Sequence, residues 1–514
     1  MNPSLWLESI EQKAYPPLTE RIKTDVLVIG GGLTGISCAH ELIKTGKRVV
    51  LVEANRLLHG TTGYTTAKLT VQHGLIYHAL EKRLGLEMAK CYYESNRLAL
   101  KHVLTNIKTY HIEADLIAAP ASVYTNDTSY IRDIENEFLS AERIGIPAKL
   151  SSHLPLPYEV NLTITFPDQY AFNVAKYLNG LLHEIEKHQG QIYEKSRVVR
   201  VQQLPHYVEA TLQNGVMIQA EDVIIASHYP CHRALEFYFT KLMPHFSYCL
   251  ALDAKILPDH LIISAETPVR SLRPAIYRNQ NILLVAGESH SARETRNRNR
   301  HFEALREYAD EYFNPTNEYF RFSTMDYLSS DQVPPIGRIH KKTLHIYLAT
   351  GYGKWGMTKG VLASLLLKDL IIKGSSDYES LYAPTRFSRM LTKTFFAYNI
   401  SQPYAFLKSK VLKKKTLAIP DSGQQRTVKV KGKTIGLYRD ETGTLHLCDM
   451  ACPHMRCTLR FNTAEKTYDC MCHGSRFHFD GTYLDGPAKR DLIRYDWEEL
   501  MDNNPAETKK NDHS

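Results

Sequence analysis

The 514-residue sequence contains no run of about 18 uninterrupted apolar residues, which argues against a transmembrane helix. Its opening residues, MNPSLWLESIEQK, lack a basic stretch followed by an apolar one. No secretory signal is expected from them, and a cytoplasmic location follows as the default. Nine cysteines are too few for a secreted disulfide scaffold of this length. Charge of one sign is also in short supply. With 63 basic and 55 acidic residues the formal net charge is +8, which gives no nucleic-acid signature by itself. What remains is a composition of 43% hydrophobic and 23% charged residues, that of a soluble globular protein. The length implies more than one domain.

The few cysteines are unevenly placed. Cys448, Cys452, Cys457, Cys470 and Cys472 fall within 25 residues, while the other four are scattered. Such a cluster in a cytosolic chain points to a metal before it points to structural bridges. Two short loops carry the pattern, Cys452-Pro-His454-Met-Arg-Cys457 and Cys470-Met-Cys472-His473-Gly-Ser475. They supply C-x-H and C-x-x-H. In a Rieske centre two thiolates hold one iron and two imidazoles the other, so each loop must deliver one ligand of each kind. Cys452, His454, Cys470 and His473 do this. The alternative is a structural zinc site, but zinc sites usually pair like ligands around one ion, whereas ligand types alternate here.

A second constellation lies near the N-terminus. Residues 25–53 read as strand, glycine turn, helix and strand, with the apolar, β-branched strands of a parallel sheet. Gly30-Gly31-Gly32-Leu33-Thr34-Gly35 satisfies G-x-G-x-x-G between strand and helix. Gly30 permits the tight turn, Gly32 lets the backbone approach a pyrophosphate, and Gly35 allows close packing of helix on strand. The helix start at Leu33 and Thr34 turns its N–H groups to the phosphates. Glu53 ends the second strand, where a carboxylate accepts hydrogen bonds from ribose hydroxyls. Gly351-Tyr352-Gly353-Lys354-Trp355-Gly356 matches the same expression and, taken literally, is a second dinucleotide site for NADH. No strand with a terminal acid follows it, however, and Tyr352 and Trp355 put bulk where a pyrophosphate must come close.

These segments resemble the D-amino-acid-oxidase-like family of FAD-dependent oxidoreductases, the glycine oxidase and sarcosine oxidase type, over about residues 20–375. The resemblance implies FAD as cofactor. It assigns Gly351, Gly353, Gly356, Met357 and Thr358 to a helix start aimed at the flavin. Thr61, Thr62, Thr65, Thr66 and Lys68 correspond to the loop laid along the flavin and its pyrophosphate, and Val198 to the residue whose backbone contacts adenine. Asp331-Gln-Val-Pro-Pro335-Ile-Gly337 precedes the last motif as it does in relatives.

The cysteine loops resemble those of Rieske proteins of the cytochrome bc type, which implies a [2Fe–2S] cluster and a Cys457–Cys472 disulfide. In that family the residue at Ser475 hydrogen-bonds a cluster sulfur, and Gly486-Pro487-Ala488 matches a loop that shields the cluster. High-potential members have a tyrosine where this chain has Phe477. Loss of that hydrogen bond implies a middle value within the roughly −150 to +300 mV Rieske range.

The fold expected is α/β, a Rossmann-like FAD-binding domain with an interleaved substrate domain over 1–385. A basic linker follows at 386–415, then a small all-β Rieske domain at 416–505 and a disordered tail at 506–514. The linker has eight basic residues and no acidic ones. It reads as a solvated face, or as a dock for an acidic carrier or an anionic membrane surface. Because a flavin accepts two electrons at once and the cluster takes one at a time, the fusion suggests an enzyme. It would oxidise an amine or amino acid at FAD and pass electrons singly through the cluster to an external acceptor. The alternatives are a reductase running the other way and a non-catalytic electron-transfer or redox-sensing protein. Candidate substrate contacts are His228, Tyr229, Arg270, Arg273 and His290.

Overall fold

The computed structural model describes residues 3–231, 238–294, 297–340, 342–410, 418–430 and 432–498. Two compact units emerge. One comprises Asn2–His290 and Arg300–Thr392, and the other chiefly Ser291–Asn299 and Lys393–Ser514.

The larger unit is built on a mixed sheet whose central strands run parallel. Strand Ile22–Ile29 pairs on one side with Val49–Val52, which continues to Gln191–Tyr193. On its other side lies Met217–Ile225, which pairs in parallel with Thr343–Ala349. The apolar runs foreseen for these strands are buried, Val26, Leu27 and Val28 completely. Burial on both faces is what a continuous run of Val, Ile and Leu signals, in place of alternation. Helix Leu33–Ile43 follows the first strand and is buried along its whole length. It packs against helices Val174–Lys187 and Gly356–Lys373, so both glycine motifs open helices that touch. A second, eight-stranded sheet includes Leu242–Leu252, Arg270–Tyr277, Gln280–Ser291 and Glu318–Ser329.

The smaller unit carries two antiparallel sheets. Gln425–Val430, Lys433–Arg439 and Leu445–Asp449 form one, and Arg460–Asn462, Thr467–Asp469, Arg476–His478 and Tyr483–Asp485 the other. Helices Lys393–Ile400 and Gln402–Lys410 precede them.

The linker expected at 386–415 is therefore corrected. Its described part is largely helical, and the boundary between units falls after Thr392. Arg386 is not solvated: its guanidinium pairs with Asp331 at 2.9 Å, with side chains 5% and 3% exposed. It also donates to the carbonyls of Tyr382, Ala383 and Val333. An anionic membrane surface thus finds fewer free cations here than the composition offered. Lys413, Lys414, Lys415 and the tail at 506–514 lie outside the described residues. Among the described residues no helix is long and apolar enough to cross a membrane. Removing one partner of a buried ion pair leaves the other charged and unpaired, so Arg386→Ala is expected to cost about 3–5 kcal/mol. A lowered urea midpoint with unchanged slope checks this.

Candidate cofactor sites

In the larger unit the two glycine turns shape a cradle. Gly30 has φ +114°, and a Cβ there would meet the Ala226 carbonyl oxygen at 2.5 Å. At Gly35 a Cβ would lie 1.8 Å from the Gly30 oxygen, so helix and turn touch through backbone alone. Gly32 is the N-cap of the helix and supplies no side chain to its first turn. Thr62 takes that place, its hydroxyl accepting from the Leu33 N–H at 3.0 Å. The Glu53 carboxylate accepts from the Gly31 N–H at 2.7 Å and the Asn55 N–H at 2.8 Å. Burial raises its pKa. Each of its oxygens keeps a second lone pair for a ribose hydroxyl. Thr34 and Tyr352 hydroxyls, 2.8 Å apart, join the first motif to the second.

The second motif turns through positive φ at Gly351 and Gly353 before the helix Gly356–Lys373 begins. Met357 and Thr358 sit in its first turn, buried. The Thr358 hydroxyl lies 2.9 Å from His73 Nε2, whose ring stacks on Trp355. Open backbone at a helix start, without a side chain to block it, fits a dinucleotide cofactor.

The other expected contacts have partners within the protein. Thr61 donates to the Met325 carbonyl, the Thr65 hydroxyl accepts from Ala67 N–H, and the Thr66 carbonyl accepts from Arg273. The Lys68 ammonium is buried and donates to the Ile262 carbonyl and Ser271 hydroxyl at 2.6 and 2.7 Å. Burial pushes its pKa down to about 7. Val198 opens strand Val198–Gln203 and is buried.

Among the substrate candidates, Arg273 needs correction. It is 1% exposed and its guanidinium grips the carbonyls of Thr66, Ala67 and Pro274, each at 2.8 Å. Through Nε and Nη1 it braces the loop. Arg270 pairs with Glu288 at 2.7 Å, and Glu288 also meets His301 at 2.9 Å. His290 stacks on His301 with centroids 4.5 Å apart and meets the Tyr248 hydroxyl at 3.0 Å. His228 Nε2 lies 3.2 Å from Asp326 Oδ1, and Tyr327 packs against both His228 and Tyr229.

Asp326 was not foreseen. It is buried, accepts from the backbone N–H of Tyr327 and of Lys354, and is held ionised by those bonds and by His228 against the cost of burial. Lys359, also missed, donates from its buried ammonium to the Tyr352 carbonyl at 2.9 Å. Burial brings its pKa to about 7. Its signal was in plain view, the one charged residue in the first three turns of the helix, before Lys368.

In the smaller unit the two cysteine loops face each other. Cys457 and Cys472 form a disulfide with Cα atoms 6.7 Å apart. Two of the thiols that a zinc site could use are thereby removed. The His454 and His473 rings approach edge to face with centroids 4.9 Å apart. Burial holds both neutral, with pKa values pushed down to about 4 and about 3; Lys489 adds to it at His454, and His454 and then Arg293 at His473. Neutral imidazole is the form that binds metal. The Cys452 thiol is drawn toward thiolate by hydrogen bonds with the Cys470 thiol, the His454 backbone N–H and the Ser475 hydroxyl, against the cost of burial. Ser475 is fully buried and its oxygen accepts from the Ala488 N–H at 3.0 Å. Gly486, at φ +102°, lets the loop through Pro487 pass so close that a Cβ would meet the Ser475 Cα at 2.5 Å. Phe477 is buried against Tyr483. Two converging sulfurs and two neutral imidazoles fit a Rieske cluster.

The comparisons agree with both sites. Residues 25–370 match the family described as FAD dependent oxidoreductase (DAO), and residues 408–496 the Rieske [2Fe-2S] domain. The Bacillus subtilis (strain 168) protein YhfW, named as a Rieske 2Fe-2S iron-sulfur protein, is 34% identical over 496 residues, covering 96% of this chain and 97% of its own. Gamma-glutamylputrescine oxidoreductase of Escherichia coli (strain K12) is 27% identical over 225 residues, 42% of this chain and 51% of that protein. Glycine oxidase from Geobacillus kaustophilus shares the fold, with a TM-score of 0.59 at 17% identity over 72% of this chain and 99% of the other. The chain therefore belongs to the FAD dependent oxidoreductase (DAO) family, as an FAD-binding enzyme that also carries a Rieske [2Fe-2S] domain.

Proposed function

We propose that this enzyme oxidises a small amine or amino acid and that the electrons leave one at a time through the Rieske centre to an external acceptor. The observation that carries this reading is the presence, in one chain, of a dinucleotide cradle at Gly30–Gly35 and a two-cysteine, two-histidine donor set. When bound, FAD supplies a hydride acceptor and the [2Fe–2S] cluster a one-electron carrier. A relative named for gamma-glutamylputrescine and a fold shared with a glycine oxidase support an amine or amino acid as substrate.

The chain's own groups have distinct tasks in this scheme. Leu33, Thr34 and Gly35 open the helix toward a pyrophosphate, and Glu53 takes the ribose. Gly351, Gly353, Gly356, Met357 and Thr358 present the second helix start to the flavin ring. Asp326 fixes the His228 ring through Nε2. Arg270, already paired with Glu288, is the residue to receive a substrate carboxylate, by exchange of one carboxylate for another. Cys452, Cys470, His454 and His473 hold the cluster. We place the enzyme in the cytoplasm.

Anaerobic titration with a panel of amines and amino acids tests the scheme. One of them is expected to bleach the flavin absorbance and then to produce the EPR signal of a reduced Rieske cluster. No response to any of the panel, with reduction instead by a ferredoxin-like donor, would reverse the direction of flow and favour the reductase reading.

A further inference from the structure

Segment Ser291–Asn299 leaves the strand Gln280–Ser291 and leads into helix Asn299–Phe313, within the stretch that matches the oxidoreductase family. In space it belongs to the unit that carries the cysteine–histidine loops. Two of its three arginines, Arg293 and Arg298, reach the second loop. Arg298 Nη1 donates to Asp469 Oδ2 at 2.7 Å, both side chains being buried. Asp469 immediately precedes Cys470, and it also accepts from Thr467, Asn462 and Arg476. Arg293 donates to the Tyr398 carbonyl at 3.0 Å and to the Ser401 hydroxyl, with its guanidinium 4.0 Å from the Tyr398 ring centroid. The buried Tyr398 then donates its own hydroxyl to the Cys472 carbonyl at 3.3 Å, one residue before His473.

The two cations differ in what they face. Arg298 is paired with Asp469, a carboxylate that it shares with Arg476. Among the described residues the Arg293 guanidinium meets the Tyr398 carbonyl, the Ser401 hydroxyl and the Tyr398 ring, none of which carries a negative charge. Tyr398, on whose ring it lies, donates to the Cys472 carbonyl, next to His473. Reduction adds one negative charge to a cluster in a low-dielectric setting, so an unbalanced cation nearby favours the reduced state. Groups outside the ligand set act on a metal centre in this way, by charge and by orienting the ligands.

We propose that Arg293 is a positioning residue of the iron–sulfur centre: through Tyr398 it holds the Cys470–His473 loop, and its charge raises the reduction potential. The oxidoreductase part of the sequence thus contributes a residue to the setting of the Rieske cluster.

The test is a dithionite titration of the full chain with redox mediators, followed by EPR and run without any amine. Its result is therefore independent of which substrate the flavin accepts. Arg293→Gln is expected to lower the midpoint potential, while Arg293→Lys, which keeps the charge, stays closer to the parent. A Gln variant with the parent's potential overturns the proposal. So does a Lys variant that shifts as far as the Gln variant, since that would leave only a packing role. Should Arg293→Gln load no cluster, Tyr398→Phe is read in its place. It removes the hydroxyl and with it the hydrogen bond to the Cys472 carbonyl, and a changed EPR line shape with a lowered potential is expected. An unchanged spectrum and potential in that variant would likewise overturn the proposal.

Discussion

Cys470→Ser is expected to purify with its flavin and without the visible and EPR signature of a [2Fe–2S] cluster. A serine hydroxyl does not ionise in the range where a thiol does, so one iron keeps a single thiolate and the cluster does not assemble. The loss is confined to one place. The Cys457–Cys472 disulfide still ties the loops together, and the FAD cradle lies in a unit with its own core. Flavin content per chain is therefore unchanged, and an amine that bleaches the parent flavin still bleaches that of the variant. Turnover with a one-electron acceptor falls by more than about 100-fold, beyond the 10–100-fold loss typical of partners outside the ligand set. Cys448→Ser is the control. Cys448 is equally buried in the same core but lies outside both loops, its sulfur near the Phe479 carbonyl, and its loss leaves the cluster in place. A Cys470→Ser protein that retains the cluster spectrum would show that the ligand assignment is wrong.

Both cofactor sites were legible in the sequence for the same physical reason. Gly30, Gly32 and Gly35, like the Cys452–Cys457 and Cys470–Ser475 loops, do their work within a few residues of chain, so the spacing of residue types is itself the geometry. The βαβ unit was legible because strands buried on both faces leave an unbroken apolar run. What stayed hidden joins distant positions. Asp331 and Arg386 meet across 55 residues, and nothing local marks an arginine in a cation-rich stretch as buried. Arg273 looked like a carboxylate fork until the fold surrounded it with carbonyls. Asp326 and Lys359 are single residues of common type whose burial is decided by the packing of helix and sheet. The clasp of Arg293 and Arg298 on the second cysteine loop was the least accessible. It depends on a nine-residue segment of the oxidoreductase stretch being folded into the other unit.

Gly35→Ala is expected to yield a chain that binds no flavin and unfolds at a much lower urea concentration. The added Cβ would sit 1.8 Å from the Gly30 oxygen, less than any non-bonded contact, and the clash is with backbone. The turn has nowhere to retreat. Gly30 is itself backed against the Ala226 carbonyl, where a Cβ would come within 2.5 Å. The helix must move instead, yet Leu33–Ile43 is buried along all eleven residues and packed between two other helices. Displacing it opens the interface with strand Ile22–Ile29 and carries the Leu33 and Thr34 amides away from the pyrophosphate. A cost above about 4 kcal/mol is reserved for changes of this kind, where no side chain can yield. Gly46→Ala gives the contrast. That glycine also has positive φ, at +84°, but no atom lies within 4 Å of its added Cβ. It should lose only the about 1–2 kcal/mol of left-handed strain and keep its flavin. Flavin absorbance per chain and the urea midpoint, measured for both variants, separate steric closure of the cradle from simple glycine strain. Equal losses in the two would mean that the close approach at Gly35 does not govern flavin binding.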